Sequence, residues 1–139
     1  MTKLGLKEAR AIVDAMLEAA GERGLRFSAA VVDPGGELVC LARSDGASAL
    51  NARMSVNKAY TAAKWTQDTK ALKTRLFDPA LGADMRDIAW FGDARFTPVW
   101  GGIVLRGEGG VVLGALGGSG GSPAQDEEIG QIGASSLAG

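Results

Sequence analysis

Apolar residues at Leu6, Ala9, Ile12, Val13, Met16, Leu17 and Ala20 recur three and four positions apart, the spacing that lines one face of an α-helix. Gly5 stands where an N-cap belongs and Glu8 where it completes the first turn, while Gly21 or Gly24 supplies the left-handed stop. Residues 27–32, FSAAVV, read as a strand. The turn Asp33-Pro34-Gly35-Gly36 follows. Pro34 fixes its own φ and the glycines accept positive φ, so the chain reverses into a second strand over 37–43 and closes an antiparallel hairpin.

Ser44-Asp45-Gly46 breaks that strand, and good helix formers fill 47–65, with Leu50, Met54, Ala59 or Val56, and Ala63 predicted on buried faces. Asp68 or Thr69 is expected to cap a short helix through Leu76. Asp78-Pro79 interrupts it, and Gly82 and Gly92 punctuate an irregular, partly helical segment. Apolar runs at 99–106 and 111–116, joined by Gly107-Glu108-Gly109-Gly110, predict a second hairpin, and a last helix runs from about Ser122 to Leu137. The hairpin connections are too short for parallel crossovers. An α+β architecture follows, a central antiparallel sheet flanked by helices, and 139 residues without repeat or linker suit a single domain over 1–139.

Composition narrows the chemistry. There is no histidine, which removes the usual general base near neutral pH, the commonest metal ligand, and every catalytic set that needs an imidazole; no metal centre is expected. Fifteen Lys and Arg against 16 Asp and Glu leave a net charge of −1, with no basic run to attract nucleic acid or an acidic membrane surface. No apolar stretch approaches the ~20 residues that cross a bilayer. The single Cys40 has no internal disulfide partner, and charges interrupt the apolar residues of the amino terminus; a cytoplasmic protein is expected.

The stretch GGSGGSPAQDEE, residues 117–128, places four glycines and two serines directly before a helix start. Glycine-rich chain running into a helix is the recipe for an anion site, since free N–H groups and the positive helix end converge there. Neither GxxxxGK[ST] nor GxGxxG is present, and no lysine lies in the loop. Ser122 fits an N-cap, Pro123 the first helical position, and Gln125 closes a capping box, so capping is the leading explanation. Contact of Ser119 and the backbone amides with a carboxylate or a tetrapyrrole propionate is the alternative.

Arg53, Asn57 and Tyr60 lie at i, i+4 and i+7 on one helical face, with Lys58 about 100° from Asn57. Together with Arg43 at the end of the second strand they are candidates for a clamp on a carboxylate, against the ordinary reading of charged side chains as solvated surface. Lys58, if buried, is a candidate acid–base or Schiff-base residue. Asp33 and Asp45 are assigned to turns, and Cys40 to the core as a small apolar residue. Trp90, Phe91, Phe96 and Trp100 can wall a planar ligand or serve a core or subunit interface.

These pieces together resemble the GlcG/HbpS family, which includes small haem-binding proteins and the carboxy-terminal domain of PduO-type proteins. The resemblance spans almost the whole chain. It is carried by AAVVDPGGELVCLARSDGA at 29–47, VNKAYTAAKW at 56–65, Gly101-Gly102 before a strand, and GALGGSGGSPAQDEEI at 114–129, where Asp126 matches the family pattern. It implies a profilin-like fold, homo-oligomeric assembly, and haem or another small ligand as cofactor or partner. Two departures stand out: no histidine is available as an axial ligand, leaving Tyr60, Met54 or Cys40, and the family's Gly-Gly-x-Pro reads Gly101-Gly102-Ile103-Val104.

The leading expectation is a protein that binds a planar or carboxylated small molecule through Arg43, Arg53, Asn57, Tyr60, Trp100, Gly101, Gly102, Ser119 and Asp126. A cofactor-independent isomerase or lyase of small organic acids, using Lys58, and a structural oligomerising protein are the alternatives.

Overall fold

The computed structural model describes residues 3–78, 80 and 92–138. Expectations for Pro79, Gly82, Trp90 and Phe91 fall outside them. Helix α1 (Leu6–Glu22) starts at Gly5, whose amide donates to Glu8 Oε1 at 2.8 Å. Strand β1 (Ser28–Val32) turns through a loop in which Asp33 Oδ1 accepts from the Gly35 and Glu37 amides at 2.9 and 3.0 Å, then returns as β2 (Leu38–Arg43). Next come α2 (Ala49–Trp65), with Ser48 as N-cap, and α3 (Thr69–Leu76). Strands β3 (Gly102–Arg106) and β4 (Val112–Ser119) flank a short 3₁₀ turn at Glu108–Gly110, and α4 (Pro123–Ala138) ends the chain.

The four strands form one antiparallel sheet in the order β2-β1-β4-β3. Helices α1 and α4 pack on one face and α2 on the other. Alternation along the strands divides the core accordingly. Ala29, Val31, Ile103 and Leu116 join Ile12, Val13, Met16 and Ile129 on the first side, while Val32, Val104 and Ala115 meet Ala59, Ala62 and Ala63 of α2 on the second.

Three expectations change. Leu50 is 64% exposed and Met54 only half-buried, because α2 lies on the sheet through Ser55, Ala59, Ala62 and Ala63 rather than through large residues. Small residues are required there: a Cβ on Gly117 would lie 2.0 Å from the Ser55 carbonyl oxygen, and one on Gly102 2.4 Å from that of Lys58. Secondly, β4 runs on to Ser119, so Gly117 and Gly118 belong to a strand and allow helix and sheet to approach closely. Thirdly, Asp68 precedes α3 but does not cap it with its side chain; Oδ1 accepts from the Val104 amide at 2.9 Å, and Thr69 Oγ1 accepts from that of Gly102 at 2.9 Å. These two residues cover the outer edge of β3, which would otherwise present free amides.

Ser122 caps α4 as expected. Its Oγ accepts from the Gln125 amide at 3.2 Å while Gln125 Oε1 accepts from the Ser122 amide at 2.8 Å, a reciprocal capping box. Among the described residues no helix is long and apolar enough to cross a membrane.

Candidate functional site

Polar side chains gather in three places around α2. The deepest lies where β3 begins and β4 ends. Lys58 Nζ donates to Asp126 Oδ2 at 2.9 Å and to the Gly118 carbonyl at 2.8 Å, while Asp126 Oδ1 accepts from the Gly121 amide at 2.8 Å. Both side chains are almost wholly enclosed. Lys58 comes from α2 and Asp126 from the first turn of α4, on the opposite face, so the ion pair passes the end of the sheet; Gly101 lies against both side chains. Burial pulls the Lys58 ammonium below its usual range, opposed by Asp126, and pushes the Asp126 carboxyl up, opposed by Lys58. Glu127 beside it is also raised by burial, and among the described residues its Oε2 has no hydrogen-bond partner.

The second group stands on the outer flank of α2. Tyr60 is buried, and its hydroxyl donates a short hydrogen bond to Asp93 and accepts one from Arg95 Nη2 at 2.7 Å. Residues 93–97 are pinned along the helix: Phe96 stacks on Tyr60 at 5.7 Å between centroids and meets Trp65 edge-on at 5.8 Å, and the Thr97 amide donates to Thr61 Oγ1 at 2.8 Å. The Arg95 guanidinium lies 3.9 Å over the Tyr60 ring yet its side chain remains 56% exposed. The bond to Asp93 raises the Tyr60 phenol, and the bonds from Tyr60 and Arg95 lower the Asp93 carboxyl to about 2.

The third group lies at the sheet end under the first turn of α2, where Ser119 Oγ donates to Asn51 Oδ1 at 3.2 Å. Arg43 closes β2 at this end and, like Arg53 on α2, is exposed; among the described residues neither side chain makes a hydrogen bond or ion pair. Asn57 is half-buried. Trp100 is covered by Lys70, whose Nζ lies 4.7 Å from the ring centroid.

The expected residues therefore divide. Lys58, Asp126, Gly101 and Gly102 meet at the buried ion pair, Tyr60 belongs to the aromatic flank, and Ser119 to the sheet end. Asp93, Arg95 and Asn51 were not anticipated. Only the charge of Arg95 and its place among aromatic residues offered a signal, since the partners of the others come from distant parts of the chain. One cavity of about 300 Å³ among the described residues lies elsewhere, between the β3–β4 turn and the end of α4, lined by Val104, Arg106, Glu108, Ala134 and Leu137.

The same geometry bears on a haem ligand set. Tyr60 has its hydroxyl committed to Asp93 and Arg95, and Cys40 packs with the core cluster of α1, leaving the half-buried thioether of Met54. Of the three side chains weighed as iron ligands, Met54 is thus the one without a partner among the described residues. No group of three or more metal-binding side chains is found among them.

Residues 4–135 match the family model described as "Haem degrading protein HbpS-like". Among solved structures, Klebsiella pneumoniae protein ORFY superposes with a TM-score of 0.88 at 25% identity, over 99% of this chain and 92% of that one. A double mutant of Streptomyces reticuli HbpS gives 0.82 at 28%, over 97% and 87%. A structure described as a PduOC:heme complex shares the fold, with 0.86 at 24%, over 97% and 95%. Comparison with curated proteins returned no match.

Proposed function

Because the chain belongs to the HbpS-like family of haem-degrading proteins, we propose that it binds a small planar carboxylated molecule, held on the outer flank of α2. One observation carries this reading: Arg95 is fixed by stacking over Tyr60 and by Asp93, while more than half of its side chain faces solvent. A cation held rigid and left accessible loses little freedom when it takes a carboxylate, and Phe96 and Tyr60 supply an aromatic wall for the ring. Asn57 and Arg53, one and two turns toward the N-terminus of the same helical face, extend the polar edge. A porphyrin qualifies through its propionates and its ring rather than through an iron ligand.

This reading makes a sharp expectation. Haemin and iron-free protoporphyrin bind with similar affinity in fluorescence-quenching titrations, and Arg95→Ala weakens both at least about tenfold through loss of a hydrogen bond to a charged group. Binding of haemin alone, with no response to the iron-free ring, would assign recognition to the metal and overturn the proposal.

A further inference from the structure

The antiparallel registers set Ser28 opposite Arg43 of β2 and opposite Ser119 of β4. These three residues thus form a row across the sheet on the face that α2 covers, since Ser119 bonds Asn51 and the equivalently oriented Gly117 lies under Ser55. Ser28 is completely buried, yet among the described residues its Oγ has no hydrogen-bond partner. A buried hydroxyl in that state has given up water for nothing.

Its surroundings are rich in donors. Asn51 spends Oδ1 on Ser119 and donates Nδ2 to none of the described residues; Arg43 is exposed and without an ion pair among them; and the amides of Ala49 and Leu50 open the 17-residue α2, where helical acceptors are lacking. Asp45, the acidic residue of the loop entering α2, is exposed. An acceptor with two oxygens in one plane would complete the set, one oxygen meeting the Ser28 hydroxyl and the other the guanidinium. With Ser28 and Ser119 only 0% and 6% exposed, an acceptor that reaches them past Arg43 has to be small.

We propose that the row Arg43, Ser28, Ser119 and Asn51, beneath the start of α2, is a binding site for a small carboxylate, separate from the aromatic flank. The ligand enters beside Arg43, the outward-facing member of the row.

Acetate is the probe, titrated at constant ionic strength against chloride and inorganic phosphate with thermal unfolding as readout. Acetate raises Tm in a saturable way and phosphate does not. Ser28→Ala and the surface change Arg43→Gln each weaken the acetate response at least about tenfold. Without acetate, Ser28→Ala leaves Tm unchanged or raised, because the hydroxyl it removes bonds to none of the described residues. Arg10→Gln, an exposed change on α1 across the sheet, keeps the full acetate response. The proposal fails if acetate has no effect, if phosphate is equally effective, if the Ser28 and Arg43 variants respond as the parent does, if Ser28→Ala alone lowers Tm, or if Arg10→Gln removes the response.

Discussion

Asp93 shows how one side chain can make part of the surface sensitive to acid. Its carboxylate takes bonds from Tyr60 and Arg95 and sits at about 2 instead of 3.8. A depressed carboxylate stabilises the folded state fully above its ordinary pKa, and this contribution disappears as pH falls through the folded value. The window is therefore about pH 4 down to about 2. Asp93→Asn keeps an acceptor for the phenol but cannot ionise, so the stability difference between parent and variant, read from urea midpoints, shrinks over that window. A difference independent of pH would show that the contact is neutral in character. None of this was legible in the sequence, where Tyr60 and Asp93 are 33 positions apart and Asp93 reads as loop.

At the scale of elements, the sequence declares what local chemistry controls. The Gly5 and Ser122 caps, the Asp33 turn and the apolar spacing of α1 are all short-range, and all appear as read except that Leu6 is 48% exposed. What escaped was the packing of α2. Its small residues offer little hydrophobic contrast beside the larger Leu50; only the glycines opposite reveal that helix and sheet approach closely. Gly117→Ala accordingly forces a methyl group into the α2 backbone and costs more than about 3 kcal/mol, seen as loss of cooperative unfolding or a large fall in Tm. Gly21→Ala is the internal contrast. With nothing within 4 Å of the new methyl and a helical position to occupy, it gains about 0.5–1 kcal/mol. The two substitutions are chemically identical, and opposite signs in the same melting experiment would check the assignment.

For the molecule as a whole, helices on the two faces of the sheet are joined at its end, between α2 and α4. Lys58 and Asp126 are separated by 68 positions, and no pattern of periodicity or capping pairs them. Their union nevertheless joins the α2 layer to the α4 layer. Peeling α4 away would strand an ammonium group in an apolar interior, and lifting α2 would strand a carboxylate, so neither departure is tolerable alone. The two sides of the molecule should accordingly open as one event: in native-state hydrogen exchange, amides in the middle of α2 and in the second turn of α4 report the same opening free energy, and Asp126→Ala lowers that shared value by about 3–5 kcal/mol. A protein assembled as separate layers would thus come apart in a single stroke, because two opposite charges buckle it together around the margin.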